Sequence, residues 1–392
     1  MPYVGLEHIP SKGAYLLGWG KAESSISTNS IFSKDDVLFG KLRPNLRKCI
    51  AAPFDGYCST DILVLRANVG IVPGFAVRVF QTEAVGAAAE KTSIGTKMPR
   101  TSWGHLGSEI VFCPDGTEQV KIAQVLDTLD TAIRQTEAIV DKLKQVKQGL
   151  LHDLLTRGVD ANGELRPSYD DAPELYQESP LGWIPKDWTP TPLRQILAEP
   201  TKNGLYKQSS FRGRGPLMVQ MGGLFRGDAV DYSTASRVLV SGSELAQFGL
   251  AIGDLLFARR SLTFEGAGLC VVVRDLPEAA TFESSIVRAR LNSSKALPEF
   301  VNSYLRGERS SAQRRTLIRQ VAVSGVSSTD IAQFEIALPK SDEQQTIIDL
   351  YAAASERTER EEVALGKLQH QKAGLMDDLL TGRVRVTPLL AQ

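Results

Sequence analysis

Between residues 118 and 156 apolar and small side chains recur in steps of three and four: Ile122, Val125, Leu129, Ala132, Thr136, Ile139, Leu143, Val146 and Leu150. The alternation forms a heptad seam and predicts one long helix packed lengthwise on another. At ~1.5 Å per residue such a segment makes a rod of roughly 58 Å, longer than a small domain is wide. Strand-like Glu109–Pro114 precedes it, and Asp115-Gly116-Thr117 can cap its start. Far downstream the pattern returns. Phe334–Pro339 leads through Ser341-Asp342 into Ile347, Leu350, Ala354, Arg357, Glu361, Ala364, Leu368, Gln371 and Leu375. Arg357, Glu361 and Gln371 are polar, so the second seam is poorer: either it is simply a flawed seam or it is an open face for another protein.

The two stretches are copies. At an offset of 225 residues, 118–156 matches 343–381 at 13 of 39 positions without a gap. Among the identities are Glu118-Gln119 with Glu343-Gln344 and Leu154-Leu155-Thr156 with Leu379-Leu380-Thr381. Pro73, Phe75 and Pro114 fall on Pro298, Phe300 and Pro339, and at an offset of 218 Asp36-Val-Leu-Phe resembles Asp254-Leu-Leu-Phe. A repeat of this length is a duplicated domain, not a solenoid period. Each copy is a variable globular part followed by a long helix. Two such copies close most simply as an internal pseudo-dimer with antiparallel rods. Gly149 and Gly374, near the rod ends, either permit close helix approach or loosen the rod there.

The globular parts read as β-rich. Asp61–Arg66, Asp254–Ala258 and Leu269–Arg274 carry β-branched and large apolar runs between glycines and prolines, while Pro298–Arg309 reads as a capped helix. Residues 157–180 are polar and proline-bearing, as a linker would be. The fold class expected is α+β: two β-rich mixed domains separated by two long antiparallel helices. The boundaries are 1–115 for the first domain, 116–157 for the first helix, 158–340 for linker plus second domain, and 341–392 for the second helix and tail.

Composition narrows the class. The 392 residues are 42% hydrophobic and 23% charged, an ordinary globular balance. No run is long and apolar enough for a membrane span, and Met1–Tyr15 lacks the pattern of a signal peptide. Cys49, Cys58, Cys113 and Cys270 are scattered, which argues against zinc or a disulfide framework and fits a cytoplasmic protein. Net charge is zero but segregated: residues 200–340 hold 18 Lys/Arg against 12 Asp/Glu, whereas 343–380 hold 4 against 8. A local basic face is therefore compatible with a neutral chain.

Catalytic motifs are missing. There is no phosphate loop, no complete dinucleotide fingerprint in Gly213-Arg-Gly215 or Gly266-Ala-Gly268, and no Asn-Pro-Pro-aromatic tetrapeptide. Asp115, Glu118 and Lys121 only faintly resemble a nuclease motif, and both carboxylates suit a helix start better. The four histidines have no ligand spacing. Binding chemistry remains. Lys41, Arg43, Asn45, Arg47 and Lys48 cluster around Pro44, and the second part has Arg212 and Arg214, then Arg259, Arg260 and Ser261. Lys41 and Arg259 occupy comparable places after their Asp-x-Leu-Phe motifs. Such loops either hold phosphates and base edges or carry solvated charge.

The duplicated helix, the ending Leu379-Leu-Thr-Gly-Arg-Val-Arg-Val386 and the Leu181-Gly-Trp-Ile-Pro-Lys-Asp-Trp188 opening together resemble the specificity subunit of Type I restriction–modification systems. The resemblance covers nearly the whole chain. It implies two target-recognition domains, each reading half of a bipartite DNA sequence, on two helices that dock methyltransferase subunits. It implies that a restriction subunit joins through them, and that the chain itself is non-catalytic and works in a prokaryotic cytoplasm. S-adenosylmethionine, ATP and Mg are expected on the partners, none on this chain. Rod length should then set the unread spacer between half-sites. Two other readings are a recognition subunit serving a fused methylase–nuclease, and a coiled-coil scaffold that binds no DNA. One departure stands out. The first part lacks the Gly-x-Ile-Pro-x-x-Trp head and starts near Tyr3-Val-Gly-Leu, set against Leu217-Met-Val-Gln, about 35 residues short of the second copy. That bears on the integrity of the first recognition domain and on its share of the docking surface.

Overall fold

The computed structural model describes residues 1–21, 28–261, 263, 266–317 and 324–389. They form two compact units, Met1–Asp141 with Glu359–Gln392, and Lys142–Thr358. The long helices, Gly116–Thr156 and Ser341–Leu380, each contribute to both units.

In the first unit a four-stranded sheet runs Gly20–Lys21, Pro2–Val4, Gly56–Ser59, Asn29–Phe32. A second sheet places Val37–Gly40 between Cys49–Ala51 and Ile62–Leu65. Helix Pro73–Phe80 begins on its proline, where no N–H is needed, and buries Phe75, Val77 and Val79. These join Val37, Phe39, Ile122 and Leu126, and the core closes on Leu379, Leu380 and Val386 from the other end of the chain.

The second unit repeats the plan. Leu255–Ala258 is central between Cys270–Val272 and Ile286–Ala289, and Arg212–Val219 pairs in parallel with Ala280–Phe282. The registers match: Phe39 opposes Cys49 as Phe257 opposes Cys270, and both thiols are buried, which raises their pKa. Val4 lies beside Cys58 as Val219 lies beside Phe282. Tyr3 therefore corresponds to Met218, one residue from the register the sequence suggests. Helix Pro298–Arg306 packs Phe300 and Tyr304 into a core with Leu154, Leu155 and Trp188.

The helix seam needs a correction. Ile122 and Ile347 are buried, and Val125, Leu129, Leu143, Leu150, Leu368 and Leu375 are half-buried. Ile139, Val146 and Leu350, however, are 47%, 51% and 37% exposed, and Arg357 and Gln371 also face outward. The seam instead runs through their neighbours Leu126, Val140 and Leu154 in the first helix, and Tyr351, Thr358, Lys372 and Leu379 in the second. Adjacent apolar pairs such as Val125-Leu126 and Ile139-Val140 leave the choice of column open, because only one member can face inward. Charges inside the seam hid the answer. In the first unit Lys372 Nζ lies 2.5 Å from Asp130, and in the second the Lys147 ammonium sits over the Tyr351 ring. In the first unit the helix segments run antiparallel, since Asp130 meets Lys372 while Ile122 and Leu126 share a core with Leu379 and Leu380. Gly149 and Gly374 face open space, so close helix approach is not their role.

Glu109–Pro114 forms no strand, and Ile110 is 99% exposed. The physical reason is visible in the second unit, where Glu335–Leu338 pairs with Thr189–Pro192. The first unit contains no counterpart of that partner strand among its described residues.

Candidate nucleic-acid interface

Both units anchor the central strand in the same way. Asp36 accepts two hydrogen bonds from the Arg66 guanidinium, at 2.8 and 2.6 Å, and one from the Ser33 N–H. Asp254 accepts two from Arg290, both at 2.7 Å, and one from the Ala251 N–H. The Arg66 hydrogen bonds hold the Asp36 carboxyl below the usual carboxylate range. The Asp-x-Leu-Phe motif is thus a structural lock that fixes where the following cation emerges.

That cation is Lys41 in one unit and Arg259 in the other. The Lys41 N–H donates to Asp61 O and its carbonyl accepts from Thr101 N–H. The Arg259 N–H donates to Ser285 O and its carbonyl accepts from Val326 N–H. Backbone hydrogen bonds therefore place the two residues equivalently. Among the described residues neither side chain makes a hydrogen bond or ion pair, and the same holds for Arg43, Asn45, Arg212, Arg214 and Arg260.

Two candidates have other roles. Arg47 is mostly buried and pairs with Glu83 and Glu90. Lys48 Nζ donates to Leu6 O and Ile9 O, at 2.7 Å each, and so ties down the N-terminal turn. Their charges are consumed inside the domain. In the second unit Arg259, Arg260 and Ser261 stay together at the end of the central strand, and Arg260 bridges to Gly325. Arg212 and Arg214 lie on a different sheet, exposed on the strand Arg212–Val219.

Sequence reasoning missed Phe225. It follows the turn Met221–Leu224, whose glycines 222 and 223 were a turn signal, and its ring is 46% exposed. A Cβ built on Gly266 would lie 3.2 Å from this ring and would also collide with Ser261 Oγ, so the three residues are close neighbours.

The duplicated Glu-Gln dipeptide now has a physical account. Gln119 accepts from Val72 N–H and donates to Pro114 O, both at 2.8 Å. Gln344 accepts from Leu297 N–H at 2.8 Å and donates to Pro339 O at 2.9 Å. Each pins the start of a long helix to the start of the domain's own helix. Glu343 binds Arg166, the Val159 N–H and the Trp188 indole N–H. Glu118 binds Arg385 through both oxygens. Trp188 lies against the positive-φ Gly158; in the first unit Phe112 lies against the positive-φ Gly382, under the Arg385 guanidinium. Phe112 and Trp188 thus take corresponding places in the two units.

No family model matches the chain. It is similar over 75% of its length to two curated proteins. At 22% identity over 297 residues it matches the Type I restriction enzyme MjaVIII specificity subunit of Methanocaldococcus jannaschii, covering 67% of that protein. At 25% identity over 301 residues it matches the Type I restriction enzyme EcoKI specificity subunit of Escherichia coli K12, covering 60% of it. Against solved structures, 98% of the chain superposes on 92% of a chain from work on complex assembly and conformational transition of the Type I R-M system, with TM-score 0.58 and 17% identity. The Type I S subunit from M. genitalium gives TM-score 0.55 at 12% identity over 97% of the chain and 88% of the subunit. The fold, mixed helix and sheet with two long helices, is shared with these solved structures over 98% and 97% of the chain.

Proposed function

We propose that this chain is a non-catalytic DNA-specificity subunit that reads a bipartite target and directs partner methyltransferase and restriction subunits to it. The observation that carries this reading is the double construction, in which each unit presents an unpaired cation, Lys41 or Arg259, at the same locked backbone position. Cations so placed suit phosphates, and the exposed loops around them differ between units, as two different half-sites require. The names of the similar proteins favour this over a scaffold that binds no DNA and over a subunit serving a fused methylase–nuclease. S-adenosylmethionine, ATP and Mg are assigned to the partners. Among the described residues no helix is long and apolar enough to cross a membrane.

Methylome sequencing of cells carrying the chain with its neighbouring methyltransferase frame tests the reading. A bipartite methylated motif is expected. Exchange of residues 200–335 for those of a relative should change one half-site only, and loss of both halves counts against independent readers. A methylome indistinguishable from that of cells lacking the chain overturns the proposal.

A further inference from the structure

The repeat supplies a like-for-like comparison of the two reading surfaces. Five residues after Val4 comes Ile9, and five after Val219 comes Leu224; all four are fully buried. The next residue is Pro10 in one unit and Phe225 in the other. In the first unit Lys48 closes this turn by binding Leu6 O and Ile9 O. In the second the turn is held differently: Met221 N–H donates to Glu283 Oε1 at 2.8 Å and Asp231 N–H donates to Gly223 O at 2.9 Å. Both scaffolds are rigid, but only the second carries an aromatic ring at its tip. Arg226, beside that ring, is bound to Ser233 and Asp231, so its charge is spent within the loop. The free charges are Arg259 and Arg260, which run into Ser261 at the foot of the ring.

We propose that Phe225 is the specificity-determining apolar contact of the second unit, meeting a base of its half-site while Arg259 and Arg260 bind the adjoining phosphates. The proposal rests on the DNA-reading function given above. An exposed ring that neighbours Ser261, the residue directly after two arginines with unpaired side chains, suits contact with a thymine methyl in the major groove. Divergence at the tip of an otherwise repeated scaffold is what two readers of unlike half-sites need.

The test uses the full chain with its methyltransferase partner in cells, read by methylome sequencing. Phe225→Ala should relax one or two positions in one half of the motif, lowering discrimination there by roughly tenfold or more, and leave the other half intact. Phe225→Leu should relax the same positions less. Arg259→Ala should lower methylation of all sites without changing the motif. An unchanged motif in both Phe225 variants overturns the proposal, as does equal relaxation of both halves. If the unsubstituted chain gives no bipartite motif, the DNA-reading function itself has failed, an outcome separate from failure at Phe225.

Discussion

Glu118 and Arg385 lie 267 positions apart in the chain and form a two-pronged ion pair that closes the base of the first unit. The carboxylate is buried while the arginine is half exposed. Arg385→Ala therefore leaves a buried charge with no partner, which costs more than the pair itself contributes. The expected outcome is a first unit that unfolds earlier, with Arg385→Ala/Glu118→Gln recovering part of the loss. Hydrogen exchange on residues 37–80 measures it, and unchanged protection there would refute the role of the tail.

Gln119 and Gln344 each satisfy a backbone N–H and a proline carbonyl at a helix junction, and Gln119 also donates to Gly70 O at 3.3 Å. Replacing either by alanine leaves both groups without a partner in a mostly buried setting. A loss of about 2–6 kcal/mol is expected at each position, from ~1–3 kcal/mol for each of the two unsatisfied groups. Denaturant unfolding of Gln119→Ala and Gln344→Ala should give losses of the same order, because both residues clamp the N–H and the proline carbonyl of their junction.

Gly149 and Gly374 are helical, exposed and free of neighbours. Alanine at either position costs no collision and removes backbone entropy from the unfolded chain. Gly149→Ala and Gly374→Ala should each raise stability by about 0.5–1 kcal/mol. Destabilisation in a melting experiment would mean that a partner uses the missing side chain.

Asp36 has its folded pKa depressed by Arg66. A carboxyl of this kind stabilises the fold above its unfolded value of about 3.9, and the contribution is lost as pH falls through the folded value. Asp36→Asn should thus be less stable at neutral pH and show a flatter loss of stability below about pH 4. A parallel acid limb in the two proteins would rule this out.

The sequence showed the duplication because identities at helix starts and ends follow shared work: Glu118-Gln119 clamps a junction and Leu154-Leu155 fills a core. It placed Lys41 and Arg259 together for the same reason, since both follow a locked aspartate. It misplaced the helix seam because Lys372 meets Asp130 and Lys147 covers Tyr351, and polarity alone hides such contacts. It read Glu109–Pro114 as a strand from propensity, while the pairing strand that makes Glu335–Leu338 one has no counterpart among the described residues of the first unit. Arg47 and Lys48 looked available because their partners, Glu83, Glu90 and backbone carbonyls, lie far along the chain. Phe225 stayed unmarked because an isolated aromatic residue in a glycine-rich turn gives no periodic signal.

Phe112 standing where Trp188 stands in the other half gives the molecule an internal optical reporter. Of its four tryptophans, Trp19, Trp103 and Trp183 are exposed and Trp188 alone is buried. The blue-shifted part of the emission therefore comes from the second unit, which makes its unfolding visible separately from that of the first, without a label.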